Sequence, residues 1–123
     1  MIAMTNDQAI RYEVLTNGGL RTVIGEHIVI PNEAGAAFGI HADPLLPDGH
    51  YEKWAVTHLV SGLPAGAGAT RASAVKQATR NCERNRKRLR DMLDEATTAR
   101  TRIQFAAGQL ERNSLTTESE KRA

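Results

Sequence analysis

An apolar residue returns at every seventh position over the second half of this chain: Val75, Cys82, Leu89, Ala96, Ile103 and Leu110. Three positions further on stand Ala78, Met92, Ala99 and Ala106, with Asn85 as the exception. A heptad of this kind keeps one stripe of a helix apolar along its whole length. At a rise of ~1.5 Å per residue, a helix over 71–113 reaches ~60 Å, beyond the width of a small sheet. Its far end must pack on something else: the same helix of a second protomer, a bend that returns it as a helical hairpin, or a partner protein. Leu89, Met92, Ala96, Ile103, Ala106 and Leu110 form the seam expected to serve there. The threonine-rich TTARTR at 97–102 has weak helix propensity and is the expected place for a break.

The first half follows the other period. In IRYEVL, Ile10, Tyr12 and Val14 fall on one side, and TNGG supplies residues that accept positive φ at little cost, a hairpin signal. LRTVIGEHIVIP reads as a second strand, with a cheap bend at Gly25 and a stop at Pro31. AAFGIHA is a weaker third run, and DPLLPDGHY is a loop. YEKWAVTHLVSG is the clearest strand; Trp54, Val56, His58 and Val60 share the face expected to be covered. SGLPAGAGAT reads as a flexible linker, and Thr70 as a helix N-cap. The expected fold is α+β, a three- to four-stranded antiparallel sheet covered by a long C-terminal helix that extends into a coiled-coil-like or helical-hairpin segment. The expected organisation is a sheet-plus-helix domain over 1–96, a helical extension over 97–113 and a flexible tail over 114–123.

Charge divides the chain as well. Residues 1–60 hold three Lys/Arg against seven Asp/Glu, and residues 61–123 hold thirteen against seven. Such asymmetry steers a polyanion to one end, or lets the acidic half of one copy meet the basic half of another. The densest run is RNCERNRKRLR at 80–90. On a projected helix Lys76, Arg80, Arg84 and Lys87 cluster on the outward side. With Arg88 they either lie along a phosphate backbone, meet an acidic protein partner, or keep a long helix solvated while their stems cover apolar neighbours. The basic region of leucine-zipper transcription factors is a poor match, because Cys82 and Leu89 lie inside the basic run. A helix that buries them cannot fork there into a major groove. Asn85, on the inner seam, either fixes register or marks where the helix leaves the sheet.

Signs of chemistry are sparse. The single Cys82 excludes an intramolecular disulfide and, being on the seam, reads as a small buried hydrophobe. His27, His41, His50 and His58 are the only plausible metal set, yet lack the short spacings of a structural zinc site. A cross-strand approach of His41 and His58 keeps a small histidine-dependent enzyme as a minor reading. GLPAGAG has neither the Lys nor the Ser/Thr of a phosphate-binding loop. No catalytic residue, metal or cofactor is expected. MIAMTNDQAI lacks the pattern of a signal peptide, and no window approaches the ~18 apolar residues of a membrane span. The reading is a cytoplasmic protein with no membrane partner.

The segment WAVTHLVSGLP at 54–64, with the helix start that follows to 78, resembles a pattern in small uncharacterised proteins of phages and other mobile elements. That pattern is a Trp-x-Val-Thr-His strand, a Ser- or Thr-Gly turn, and a helix rich in Ala and Lys/Arg. The resemblance implies an accessory protein that works by stoichiometric binding to a host protein or nucleoprotein complex, as an inhibitor, for instance of host defence, or as a regulator. If so encoded, it acts in the host cytoplasm. DNA or RNA binding through the basic helix face is the alternative, and a homodimer joined along the seam is the expected assembly.

Overall fold

The computed structural model describes residues 9–122, with side chains as far as Ala106; residues 1–8 and the Leu110 side chain lie outside the described part. Within it the chain forms one antiparallel sheet of five strands in sequence order, β1 Ala9–Thr16, β2 Gly19–Ile28, β3 Phe38–Ala42, β4 Trp54–His58 and β5 Pro64–Gly68. Two helices follow, α1 Arg71–Arg84 and α2 Leu89–Arg122.

The first hairpin forms where alternation and TNGG place it. Thr16 pairs with Gly19, and the Thr16 hydroxyl accepts from the Gly18 N–H at 3.1 Å and donates to the Gly19 carbonyl at 2.7 Å. Gly19 sits at φ +109°, a conformation that strains any side chain.

The fifth strand corrects the expected count of three or four. PAGAG, read as a linker, pairs with β4 through Trp54 opposite Gly68 and Val56 opposite Gly66. Its glycines serve close approach, not flexibility. A Cβ on Gly66 would stand 2.6 Å from the Ala78 backbone nitrogen, and one on Gly68 2.7 Å from that of Ala74. α1 therefore lies directly on the β5 backbone, with Ala74 and Ala78 fully buried between them. Thr70 caps α1 as its sequence indicates: its hydroxyl accepts from the Ser73 N–H at 3.1 Å, and the Ser73 hydroxyl accepts from the Thr70 N–H at 3.0 Å, a reciprocal capping box.

The helices cover one face of the sheet. Ile30, Phe38, Ile40 and Val56 pack there against Ala74, Ala78, Cys82, Leu89 and Leu93. Trp54, Val56 and His58 do face this core, whereas Val60 lies past the strand end and is exposed. On the other face Tyr12, Val14 and Val23 form a second cluster with Ile10 and Leu59. The Leu15 N–H donates to the Gly62 carbonyl at 2.9 Å, although β1 and the β4–β5 turn stand far apart in strand order. The sheet must curl to bring them together, and the second cluster fills the hollow.

The helical break falls at 85–88, not at 97–102. Asn85 ends α1 with φ −102° and ψ 17°; its N–H and its Nδ2 both donate to the Asn81 carbonyl, at 3.1 and 2.8 Å. The turn lets Leu89 and Leu93 settle back onto the sheet beside Phe38. Through 97–102 α2 is continuous. The Thr97, Thr98 and Thr101 hydroxyls donate to carbonyls four residues earlier at 2.8, 3.0 and 3.0 Å, so these side chains are satisfied without leaving the helix. The helical-hairpin option is thereby replaced by one helix that runs to Arg122. The buried stripe, Ala74, Ala78, Cys82, Leu89 and Leu93, also departs from the strict heptad. Val75, Met92 and Ala96 are half-buried, and Ile103 and Ala106 are exposed.

Candidate polyanion-binding turn

Between positions 76 and 90 seven Lys/Arg stand against Glu83 alone. On α1 the buried residues Ala74, Ala78 and Cys82 recur at intervals of four, and so do Lys76, Arg80 and Arg84. Their offset of two residues is a rotation of ~200° on an α-helix, so the cations project from the face opposite the core. The turn at 85–88 then carries Arg86, Lys87 and Arg88 out of the helical line, and Arg90 follows in the first turn of α2. All seven cations are exposed.

None of the seven forms an ion pair with a described residue. The ion pairs present employ Arg21, Lys53, Arg71 and Arg100 elsewhere. Arg84, Asn85, Arg86, Lys87, Arg88 and Glu83 line a shallow depression of about 290 Å³ at the turn. Arg88 contributes the carbonyl that accepts from the Met92 N–H at 2.9 Å, so its charge and that of Arg90 sit at the start of α2. The positive end of a helix dipole disfavours cations there and favours an incoming anion. Arg84, at the end of α1, has the reverse, favourable placement.

All five basic residues singled out in the sequence, Lys76, Arg80, Arg84, Lys87 and Arg88, thus reach solvent on α1 and its turn. Arg86 and Arg90 join them and were missed, because a continuous helix would have spread them around its circumference. Of the seam residues, Leu89 is buried in the core; Met92 and Ala96 lie half-covered. Ile103 is 41% exposed and Phe105 63%.

The histidines do not converge. In the β3–β4 register His41 stands opposite Ala55 and His58 opposite Phe38, which puts the two rings on opposite faces. The His58 Nδ1 lies 2.7 Å from the Ser61 hydroxyl, and that hydroxyl accepts from the Leu63 N–H at 3.1 Å. Ser61 is fully buried, so the pair braces the β4–β5 turn. The His41 ring meets the Tyr12 phenol at 3.5 Å, and burial pushes that phenol up to about 12. Burial likewise raises the Cys82 thiol, the opposite of an activated thiolate. Among the described residues no three His, Cys, Asp or Glu gather as a metal site, and no helix is long and apolar enough to cross a membrane.

No family model matches the chain, and no curated protein or solved structure matches it.

Proposed function

We propose that the protein works by binding rather than by chemistry, and that its primary surface grips the phosphate backbone of a nucleic acid, free or within a host nucleoprotein complex. The observation that carries this reading is the set of seven exposed cations on α1 and the 85–88 turn, without ion-pair partners among the described residues. Lys76, Arg80 and Arg84 form a row along α1 that follows a phosphate strand; Lys87 and Arg88, with Arg86 and Arg90, close on it from the turn. Contacts of this sort position a protein on a duplex or single strand without reading bases.

A gel-shift titration at two salt concentrations tests the reading. Five phosphates neutralised on B-DNA give a log–log salt slope of about −4.5. Arg80→Glu, Arg84→Glu and Lys87→Glu together should abolish retention and leave the fold intact, since all three side chains are exposed. Absence of DNA or RNA retention by the wild type at low salt would remove the proposal.

A second reading rests on α2. Ile103 and Phe105 are exposed on α2, and a helix in a protein draws most of its stability from packing an apolar face. This favours a host protein along α2, the inhibitor role implied by the accessory-protein resemblance, or a second copy, the homodimer expected from the heptad seam. Sedimentation of the wild type against Ile103→Asp distinguishes the two: a concentration-dependent mass lost in the variant indicates self-association, and an unchanged monomer mass leaves only a foreign partner.

A further inference from the structure

Where α1 and α2 part at the 85–88 turn, the core is left unfilled. α1 is drawn onto β5 by Gly66 and Gly68, and the start of α2 settles beside Phe38. Between them the chain places Ala65 and Cys82, side chains too small to close the wedge. The result is a cavity of about 170 Å³, walled by Phe38, Leu63, Cys82, Leu89, Met92 and Leu93. The half-buried Asn81, Asn85 and Met92 mark its opening. Protein interiors hold few voids larger than a water molecule, because each forfeits contacts that a slightly larger side chain would make. Leucine at position 82 would fill this one.

One buried polar ring borders it. His58 is 5% exposed and lines the cavity, its ring centroid 5.8 Å from that of Phe38. Its Nδ1 lies 2.7 Å from the Ser61 hydroxyl, which already accepts from the Leu63 N–H. Ser61 is fully buried, so the hydroxyl's own proton has Nδ1 as its acceptor, and the neutral ring carries its proton on Nε2. Burial favours that neutral form. Nε2 has no hydrogen-bond partner among the described residues, yet no sealed side-chain nitrogen or oxygen among them lacks one. Nε2 therefore opens onto the cavity as a donor held in place by Ser61.

We propose that this cavity binds a small monocyclic aromatic molecule bearing one oxygen, of the size of phenol, whose ring fills the apolar walls and whose oxygen accepts from His58 Nε2. An apolar cavity of about 150 Å³ takes benzene, and the 170 Å³ here leave room for one substituent atom. Phe38 and Met92 offer ring-edge and sulfur contacts that suit an aromatic face. The donor selects for an acceptor, because a plain hydrocarbon would leave Nε2 unmet once water is displaced. A charged ligand is disfavoured by the same walls, since no charged side chain among the described residues lines them to offset its desolvation. The site uses none of the seven cations and stands whether or not they bind nucleic acid.

Titration of the full chain with para-fluorophenol, followed by methyl and side-chain nitrogen NMR, tests this. Saturable shifts are expected at the Leu63, Leu89, Met92 and Leu93 methyls and at His58 Nε2. Fluorobenzene, which lacks the oxygen, should bind about fivefold more weakly, roughly what one hydrogen bond supplies. Cys82→Leu should fill the wedge and abolish saturation while the fold is kept. If that variant does not fold, Met92→Trp, at a half-buried position on the rim, should block entry instead. Absence of saturable shifts within the aqueous solubility of the probe overturns the proposal, as do shifts confined to other residues or binding that survives the filled cavity. Equal affinity for the two probes also overturns it, because His58 would then not be selecting the ligand.

Discussion

The side-chain amide of Asn81 donates to the Ala65 carbonyl at 2.8 Å, and one helical turn earlier Gln77 Oε1 accepts from the Ala67 N–H at 2.6 Å. Two amides spaced by four on α1 thus do for the outer edge of β5 what a sixth strand would do. Asn81→Ala should lower stability by ~1 kcal/mol, and Gln77→Ala with Asn81→Ala by ~2 kcal/mol, because each leaves a strand group without its partner. Urea titration should show a lower midpoint with an unchanged slope. The double variant should also scatter more light on storage, since its edge is open to other chains.

β5 tolerates α1 only because it has no side chain at Gly66. Gly66→Ala places a methyl 2.6 Å from the Ala78 nitrogen, against backbone that cannot step aside. The cost should be ~1–3 kcal/mol or more, read as a fall in thermal midpoint. Survival of the variant without loss would mean that α1 does not seat on β5 as described.

Leu93 is 6% exposed in the core, while Met92, its neighbour on the heptad, is only half-buried. Leu93→Ala should therefore cost ~2–4 kcal/mol and Met92→Ala clearly less. Chemical denaturation of the pair decides whether the intervals of four or of seven describe this helix.

These residues also show what the sequence made legible. The hairpin at TNGG, the covered face of Trp54 and Val56, and the Thr70 cap were readable because each depends on local alternation or capping chemistry. β5 was hidden because glycine and alanine signal a linker in isolation, and only α1 lying against them shows their role in close packing. The break was misplaced for a related reason. Thr97, Thr98 and Thr101 are poor helix formers, but their hydroxyls bond back to the helix, while Asn85 donates two bonds to the Asn81 carbonyl where the helix ends. Basic residues were legible as a group; their convergence at a turn was not, since it follows from that break.

Acidification should weaken the fold through two histidines. Burial holds the His41 imidazole below its ordinary 6.5, aided by the Arg21 charge and partly opposed by Asp43. Burial lowers His58 likewise, with Asp94 opposing. Between the folded value and 6.5 the unfolded chain binds more protons, so stability is complete above that window and falls as pH drops through it. The thermal midpoint should decline as pH falls through the ordinary histidine value of 6.5 and below, and His41→Gln should flatten the decline. Asp43 acts in a separate window: the Leu45 N–H and Arg21 hold its carboxyl below 3.8, so its contribution is lost only in stronger acid.

Arg100 ties the far side of the core together from the segment that looked weakest. Its Nη1 donates to the Val60 carbonyl at 2.8 Å, and its Nη2 to Glu13 Oε1 on β1 at 2.5 Å, while its side chain is 18% exposed. One planar guanidinium thereby joins α2, the β4–β5 turn and β1, and fixes the direction in which α2 leaves the body. Arg100→Ala should cost ~1.5–3 kcal/mol, as expected for charge-assisted bonds that are partly shielded from water. Arg100→Lys should recover little of this, because an ammonium cannot present two donors in that fork. Glu13→Gln keeps an acceptor oxygen and should cost less than Arg100→Ala. A double-mutant cycle on Glu13 and Arg100, followed by urea denaturation, measures the coupling. A coupling near zero would mean that α2 is held by Leu89 and Leu93 alone and that its exit direction is not set by this contact.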